Sequence, residues 1–338
     1  MRKRLPFGVT MAVLAGLVFL AMLVSMAAGQ MTIPFDHVLR VLGEAAGLGT
    51  VPAPAEETAV VWNIRLPRTL VGLLVGGGLA LAGATLQGIF QNPLADPGML
   101  GVSAGASVGA VLAIATGAAG AALYALPLFA VCGALGAIAL TIALSMRRGG
   151  HIPVLTLLLA GVVVSMLLAA VTAAVLTAVN EQKMQAYLFW TVGGLDYRRW
   201  AHVLLALPPF LVCAALLLLF SRQLNILSLG ETEARALGMR VTAWRVGLLV
   251  LASCLTASGV AVSGNIGFVG LVVPHAMRML VGPDHRRLLP ASMLAGAAFL
   301  VLCDSLGRVL GPSEIRVGIM TAFVGTPYFL YLLRKQNK

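Results

Sequence analysis

The side chains able to do chemistry are few in this 338-residue chain, and their spacing argues against catalysis. His37, His151, His202, His275 and His285 are scattered. None stands four residues from another His or Cys, the spacing that holds a metal on one helix face. Cys132, Cys213, Cys254 and Cys303 each lie alone in an apolar run, so neither a zinc site nor a redox motif is supported. The lysines, Lys3, Lys183, Lys335 and Lys338, follow no Gly-rich loop, so the chain has no P-loop with which to hydrolyse ATP. No catalytic residue and no metal ligand is assigned. What remains is the chemistry of recognition: guanidinium groups, and a short charged segment in an otherwise apolar chain.

Asn63-Ile-Arg65-Leu-Pro-Arg68 sets two arginines three residues apart before a long apolar run, and Arg308 follows Asp304 by one helical turn near the end of another. Guanidinium groups at such a rim suit either lipid headgroups or the carboxylates of a docking protein. The second feature is the break in hydrophobicity over 222–242, RQLNILSLGETEARALGMRVT. Ser228 and Glu231 fit the S-x-x-E capping box. A short helix is predicted over Thr232–Leu237, closed by Gly238 at positive φ. Leu229, Ala234 and Leu237 give it an apolar side, and Glu231, Glu233 and Arg235 give it charge. It reads either as a solvated loop or as a coupling helix that docks in a groove of a separate ATPase. The third feature is QGIFQNPLADPG, 87–98, where Pro93 and Pro97 bar a continuous helix and Asn92 and Asp96 favour turns. Gly101, Gly105 and Gly109 follow at four-residue spacing, a face that admits another backbone, and the adjoining loop is a candidate gate.

The elements holding these features are membrane helices. The chain is 59% hydrophobic and 10% charged, with mean hydropathy +0.97. A soluble fold of this length needs more charge to cover its surface, and the 38 glycines suit close-packed membrane helices. Ten spans of about 20 residues are expected: Phe7–Ala28, Thr69–Phe90, Met99–Thr116, Ala122–Met146, Ile152–Val179, Ala201–Phe220, Ala243–Val262, Gly267–Val281, Leu288–Leu310 and Val317–Leu333. Phe7–Ala28 is long enough to span and reads as a retained helix rather than a signal peptide. The formal charge of +11 sits at the ends of apolar runs, not in a stripe with interleaved aromatics, which argues against nucleic acid. Arg2, Lys3 and Arg4 at one end and Arg334, Lys335 and Lys338 at the other place both termini in the cytoplasm, with Arg147, Arg148, Arg222, Arg235, Arg240, Arg245, Arg278, Arg286 and Arg287 on the same side. Two segments fall outside: 29–68, with Pro52 and Pro54, and the aromatic Asn180–Trp200. The chain reads as one transmembrane domain, 1–338, with a cytoplasmic coupling segment, 222–242.

Three long motifs carry a resemblance. RLPRTLVGLLVGGGLALAGATLQGIFQNPLADPGMLGVSAGASVGA from Arg65, SGNIGFVGLVVPHAMRMLVGPDHRRLLPAS from Ser263, and VGIMTAFVGTPYFLYLL from Val317 resemble the FecCD-type permeases, the membrane subunits of type II ABC importers. The resemblance implies an all-α integral membrane fold of about ten spans, in the bacterial inner membrane. It implies a dimer, here favoured as a homodimer, around a central pathway. It also implies two ABC ATPase subunits that bind ATP and Mg, and a periplasmic or lipoprotein substrate-binding protein. No cofactor is expected in this chain. Positions matching the family's docking arginines are Arg65, Arg68 and Arg308. The coupling positions are Leu227, Ser228, Gly230, Glu231, Ala234, Leu237 and Gly238. Gate and pathway positions are Asn92, Pro93 and Leu94, with Thr156 and Ser165. The implied cargo is a metal chelate, first a ferric siderophore or haem, then cobalamin. A carrier driven by an ion gradient is the rival class; it needs ionisable groups at mid-membrane, and the apolar runs hold almost none.

Overall fold

In a computed structural model, residues 6–29, 31–48, 53–147, 151–311 and 313–336 are described. Arg2, Lys3, Arg4, Pro52, Arg148 and Lys338 lie outside them. The elements are α1 (Phe7–Ala27), α2 (Phe35–Ala45), α3 (Ala55–Val60), α4 (Leu66–Ile89), α5 (Val102–Ala115), α6 (Ala118–Ala121), α7 (Ala125–Ser145), α8 (Val154–Thr177), α9 (Glu181–Val192), α10 (Trp200–Leu219), α11 (Ser221–Leu227), α12 (Glu231–Ala236), α13 (Val241–Ser263), α14 (Val269–Val281), α15 (His285–Val309) and α16 (Val317–Gln336). No strand occurs among the described residues.

Among the described residues seven stretches are long and apolar enough to cross a membrane: Phe7–Ala27, Ala55–Ile89, Ala125–Ser145, Val154–Thr177, Trp200–Leu219, Val241–Ser263 and His285–Val309. The other three expected spans coincide with shorter apolar helices, Val102–Ala115, Val269–Val281 and Val317–Leu330. The second span begins earlier than its hydropathy suggests, because α3 runs through a π-turn, Val61–Arg65, directly into α4.

Helix α4 is the central post. It packs against α15, α13, α14 and α10, while α5 pairs with α7. Glycine makes the α4–α15 contact possible: a Cβ on Gly76 would collide with the carbonyl of Gly296, and one on Gly296 with the carbonyl of Gly76. Gly105 and Gly109 face the backbone of α7 at Gly133 and Phe129. Gly101 does not join that face; at φ 85 it caps the start of α5. By contrast, α1 and α8 bury only a narrow stripe and leave apolar side chains such as Val13, Phe19, Leu155 and Met166 exposed. Cys213 of α10 and Cys254 of α13 are neighbours, and both are free thiols.

Candidate functional site

Two rims and one loop carry the functional side chains; "outer" and "inner" here follow the charge count. At the outer rim the C-terminal turn of α1 exposes carbonyls that no helical N–H reaches. Arg65 donates Nη1 to Met26 O at 2.6 Å and to Ala27 O at 2.9 Å, and Nη2 to Met31 O. Arg308 donates Nη1 to Ala28 O at 3.1 Å and Nη2 to Ser25 Oγ at 2.8 Å. Two guanidinium groups thus close the negative end of α1.

Arg68 sits beside them in a fork on Asp304, with Nε to Oδ2 and Nη2 to Oδ1 both at 2.9 Å. Its Nη1 donates to Glu314 Oε2 at 2.8 Å and its Nη2 to Asp196 Oδ1 at 3.3 Å. Arg308 Nε lies 3.3 Å from Asp304 Oδ2. Burial pushes the Asp196 carboxyl up against the pull of Arg68 and Arg316. At Glu314 burial is outweighed by the hydrogen bond and charge of Arg68, and the carboxyl is held below its ordinary value. Arg65, Arg68 and Arg308, expected to dock a partner at this rim, are all buried, with most of their donors turned onto groups of the same chain. Among the described residues of the cleft at this rim the exposed cation is Arg199, with Arg198 and Arg316 half-buried. All three line this outer cleft of about 710 Å³ with Arg68, Asp196, Glu314 and Tyr197, the last 89% exposed. Sequence reasoning missed Asp196 and Glu314; only Asp304, one turn before Arg308, left a local signal.

At the inner rim the charged break folds into two short helices, not one. Ser228 ends α11, its Oγ donating back to Leu224 O at 2.8 Å, and the N-cap of α12 is Gly230 at φ 123. The predicted capping box is therefore absent. Gly238 does close the turn at φ 78. Glu231 is the hub: Oε1 accepts from Arg235 Nη2 at 2.9 Å, Oε2 accepts from Arg245 Nη2 at 3.1 Å, and His151 Nδ1 lies at 3.4 Å. Burial pushes this carboxyl up, but the Arg235 and Arg245 bonds, with the charges of Arg245 and His151, hold it below its ordinary value. Arg245, itself buried, also donates to Ile152 O at 2.6 Å, which ties α12 to α13 and the approach to α8. The predicted apolar side divides. Ala234 is fully buried, whereas Leu229 and Leu237 are 61% and 64% exposed.

The loop after α4 touches this segment, since Gln91 Nε2 donates to Leu227 O at 3.0 Å. Asn92 Oδ1 accepts the Leu94 N–H at 2.9 Å and so fixes the turn around Pro93. The loop then folds back between helices, and Asp96 reaches the neighbourhood of Gly270. Ser165 lies beside Gly101 at the start of α5. Thr156, nine positions earlier on α8, faces the opposite way at 100° per residue, so these two do not line one face. Among the described residues no three of His, Cys, Asp or Glu are placed to hold a metal ion.

Comparison with known proteins gives a consistent result. The model of the FecCD transport family matches residues 17–335. The cobalamin import system permease protein BtuC of Halobacterium salinarum is 46% identical over 84% of this chain and 76% of its own length. The hemin transport system permease protein HmuU of Yersinia pestis is 42% identical over 82% of this chain and 84% of its own. A solved metal-chelate type ABC transporter in an inward-facing conformation aligns with TM-score 0.84 and 35% identity, covering 98% of this chain and all of that one.

Proposed function

The chain belongs to the FecCD transport family, and from that premise we propose that it is the permease that carries a large metal chelate inward through a bacterial cytoplasmic membrane at the expense of ATP held by a partner. Counting α5, α14 and α16 as spans gives ten, with both termini inside and the whole chain acting as one permease domain. A second copy completes the pathway, and two ABC ATPase subunits bind ATP and Mg.

The observation that carries the reading is the face of α12. Leu229 and Leu237 project from a turn that Ala234 and the Glu231–Arg245 pair fix from behind. Apolar side chains held rigidly at a polar rim suit a groove on another protein. Leu227, Ser228, Gly230 and Gly238 shape that turn. The Gln91–Leu227 bond offers a route from it to the gate at Asn92, Pro93 and Leu94. Thr156 and Ser165 would then contribute to the pathway from different faces of α8.

Outside, an acidic binding protein meets Arg199 and Arg316 first. Arg68 is reached only if incoming carboxylates replace Glu314 and Asp196, and Arg65 and Arg308 support the rim by holding the end of α1. The cargo we favour is a ferric siderophore or haem; cobalamin is the second reading, favoured by the 46% identity to a cobalamin import permease. Uptake into proteoliposomes holding the chain and its cognate ATPase, with binding protein outside and ATP inside, tests both. ATP-dependent accumulation of one chelate is expected; accumulation driven by an ion gradient without ATP would overturn the reading.

A further inference from the structure

Asp96 sits at a depth that its sequence setting does not announce. The chain leaves α4 at Ile89, turns at Gln91 with φ 50, and runs back among the helices before the 3-10 turn Pro97–Leu100. A Cβ built on Gly270 would lie 3.5 Å from Asp96 Oδ2 and 3.0 Å from the carbonyl oxygen of Leu79. Gly270 packs between Gly83 and the Leu79 carbonyl, about 9–15 Å from the inner end of α4 at 1.5 Å per residue. That lies well inside a hydrocarbon layer about 30 Å thick. Irregular chain at such depth is tolerated only where protein encloses it or where it lines a cavity, and an ionisable group there points to function.

Both conditions are met. A cavity of about 210 Å³ opens at Asp96, walled also by Ser103 of α5, Thr256 of α13 and Asn265 of the α13–α14 connection. Asp96 Oδ1 accepts the Gly98 N–H at 2.8 Å. Thr256 Oγ1 donates to Ala252 O at 2.9 Å, which leaves its lone pairs free. Among the described residues nothing donates to Asp96 Oδ2, no basic side chain pairs with it, and neither Ser103 Oγ nor the Asn265 amide has a partner. Asp96, Ser103 and Asn265 are half-buried and open onto this cavity, so a carboxylate with no protein counter-charge stands in a polar chamber suited to a small charged occupant.

We propose that the occupant is a hydrated monovalent cation of the Na+ class, held against Asp96 Oδ2. Hard oxygen donors surround it: the Ser103 and Thr256 hydroxyls and the Asn265 carbonyl oxygen, each directly or through water. One carboxylate balances one positive charge, and the volume admits several waters of ~30 Å³ each. The ion would pin the returning loop to α5, α13 and the head of α14. The site does not depend on the cargo or on the ATPase, since it rests on the chamber and on the depth of the loop in the membrane.

The test is the unfolding temperature of the full chain in lipid nanodiscs, titrated with NaCl, KCl, CaCl2 or N-methyl-D-glucamine chloride at constant ionic strength and pH. A saturable rise of a few degrees with Na+, lost in Asp96→Asn and weakened in Ser103→Ala, is expected. Equal midpoints in Na+ and N-methyl-D-glucamine overturn the proposal, as does an undiminished response in Asp96→Asn. A larger rise at lower concentration with Ca2+ overturns the monovalent assignment. A midpoint that ignores cations but moves with pH in the wild type alone assigns the chamber to a neutral carboxylic acid and also overturns it. If Asp96→Asn does not fold, 22Na+ binding to the wild type and to Asn265→Ala decides: saturable binding weakened by the substitution supports the site, and its absence refutes it.

Discussion

The outer and inner rims both gather arginine and carboxylate, yet they put them to opposite uses. Outside, Arg68 is buried, and Asp304, Glu314 and Asp196 converge on it from far along the chain. Inside, Glu231 stays near the surface and draws Arg235 and Arg245 to the back of a short helix, leaving leucines in front. The outer cluster uses charge to join α4, α15 and two connections, so its guanidinium groups face inward. The inner cluster uses charge to hold a turn rigid, so its apolar face points away. Charge at a rim therefore does not by itself mark a docking surface; what the charges face decides.

The sharpest way to break the contrast is Arg68→Ala. It strips the two-point fork from buried Asp304 and leaves it only the Arg308 Nε contact at 3.3 Å, a loss of about 3 kcal/mol. A large fall in unfolding temperature is expected, with most of it recovered in Arg68→Ala/Asp304→Asn; a midpoint like the wild type would refute the structural role. Next is Leu237→Asp. It should cut ATP-dependent uptake by about tenfold, equivalent to ~1.4 kcal/mol of coupling, while stability moves by no more than ~0.5 kcal/mol as for other surface changes. Full uptake in that variant would remove α12 from the coupling role. Arg199→Glu with Arg316→Glu should weaken binding-protein affinity about fivefold at low salt and less at high salt, because rim charges are screened. Salt-independent affinity would shift docking elsewhere. The smallest effect follows from Glu231. Its carboxyl is held low, so its contribution is present above the ordinary Glu range near ~4.3 and is lost as pH falls through the lower folded value. Amide exchange over 228–238, corrected for intrinsic rate, should therefore be faster at pH 3.5 than at pH 6 in the wild type. In Glu231→Gln the two should match.

Hydrophobic runs alone made most helices legible, because a long apolar stretch in lipid has few alternatives to a helix. Their lengths were less legible. The π-turn that joins α3 to α4 carries Asn63 and Arg65, and α3 before it carries Glu56 and Glu57, so hydropathy stops reading there. The capping box failed for a local reason: S-x-x-E is also satisfied by a helix ending at Leu227 and another beginning at Glu231, and Gly230 lets the chain turn between them. The outer arginines were visible, but not their burial, since Asp304 and Glu314 stand 236 and 246 residues from Arg68. Asp96 was visible as a turn residue in a Pro-bracketed loop. Nothing nearby in sequence says that the loop turns inward, because Gly270, which admits it, is remote.

Helix α14 has a consequence for how the chain is made. With 13 residues, an internal Pro274, and Arg278 in its last turn, it is a poor substrate for insertion on hydropathy alone. Its backbone lies against α4, where a Cβ on Gly83 would collide with Gly270, and against α15, which is synthesised after it. On the ten-span proposal such a segment depends on α4 and α15 to enter the bilayer, so Gly83→Leu should yield a chain with the wrong topology, read by protease accessibility of the α14–α15 connection, rather than a folded protein with a lower melting point.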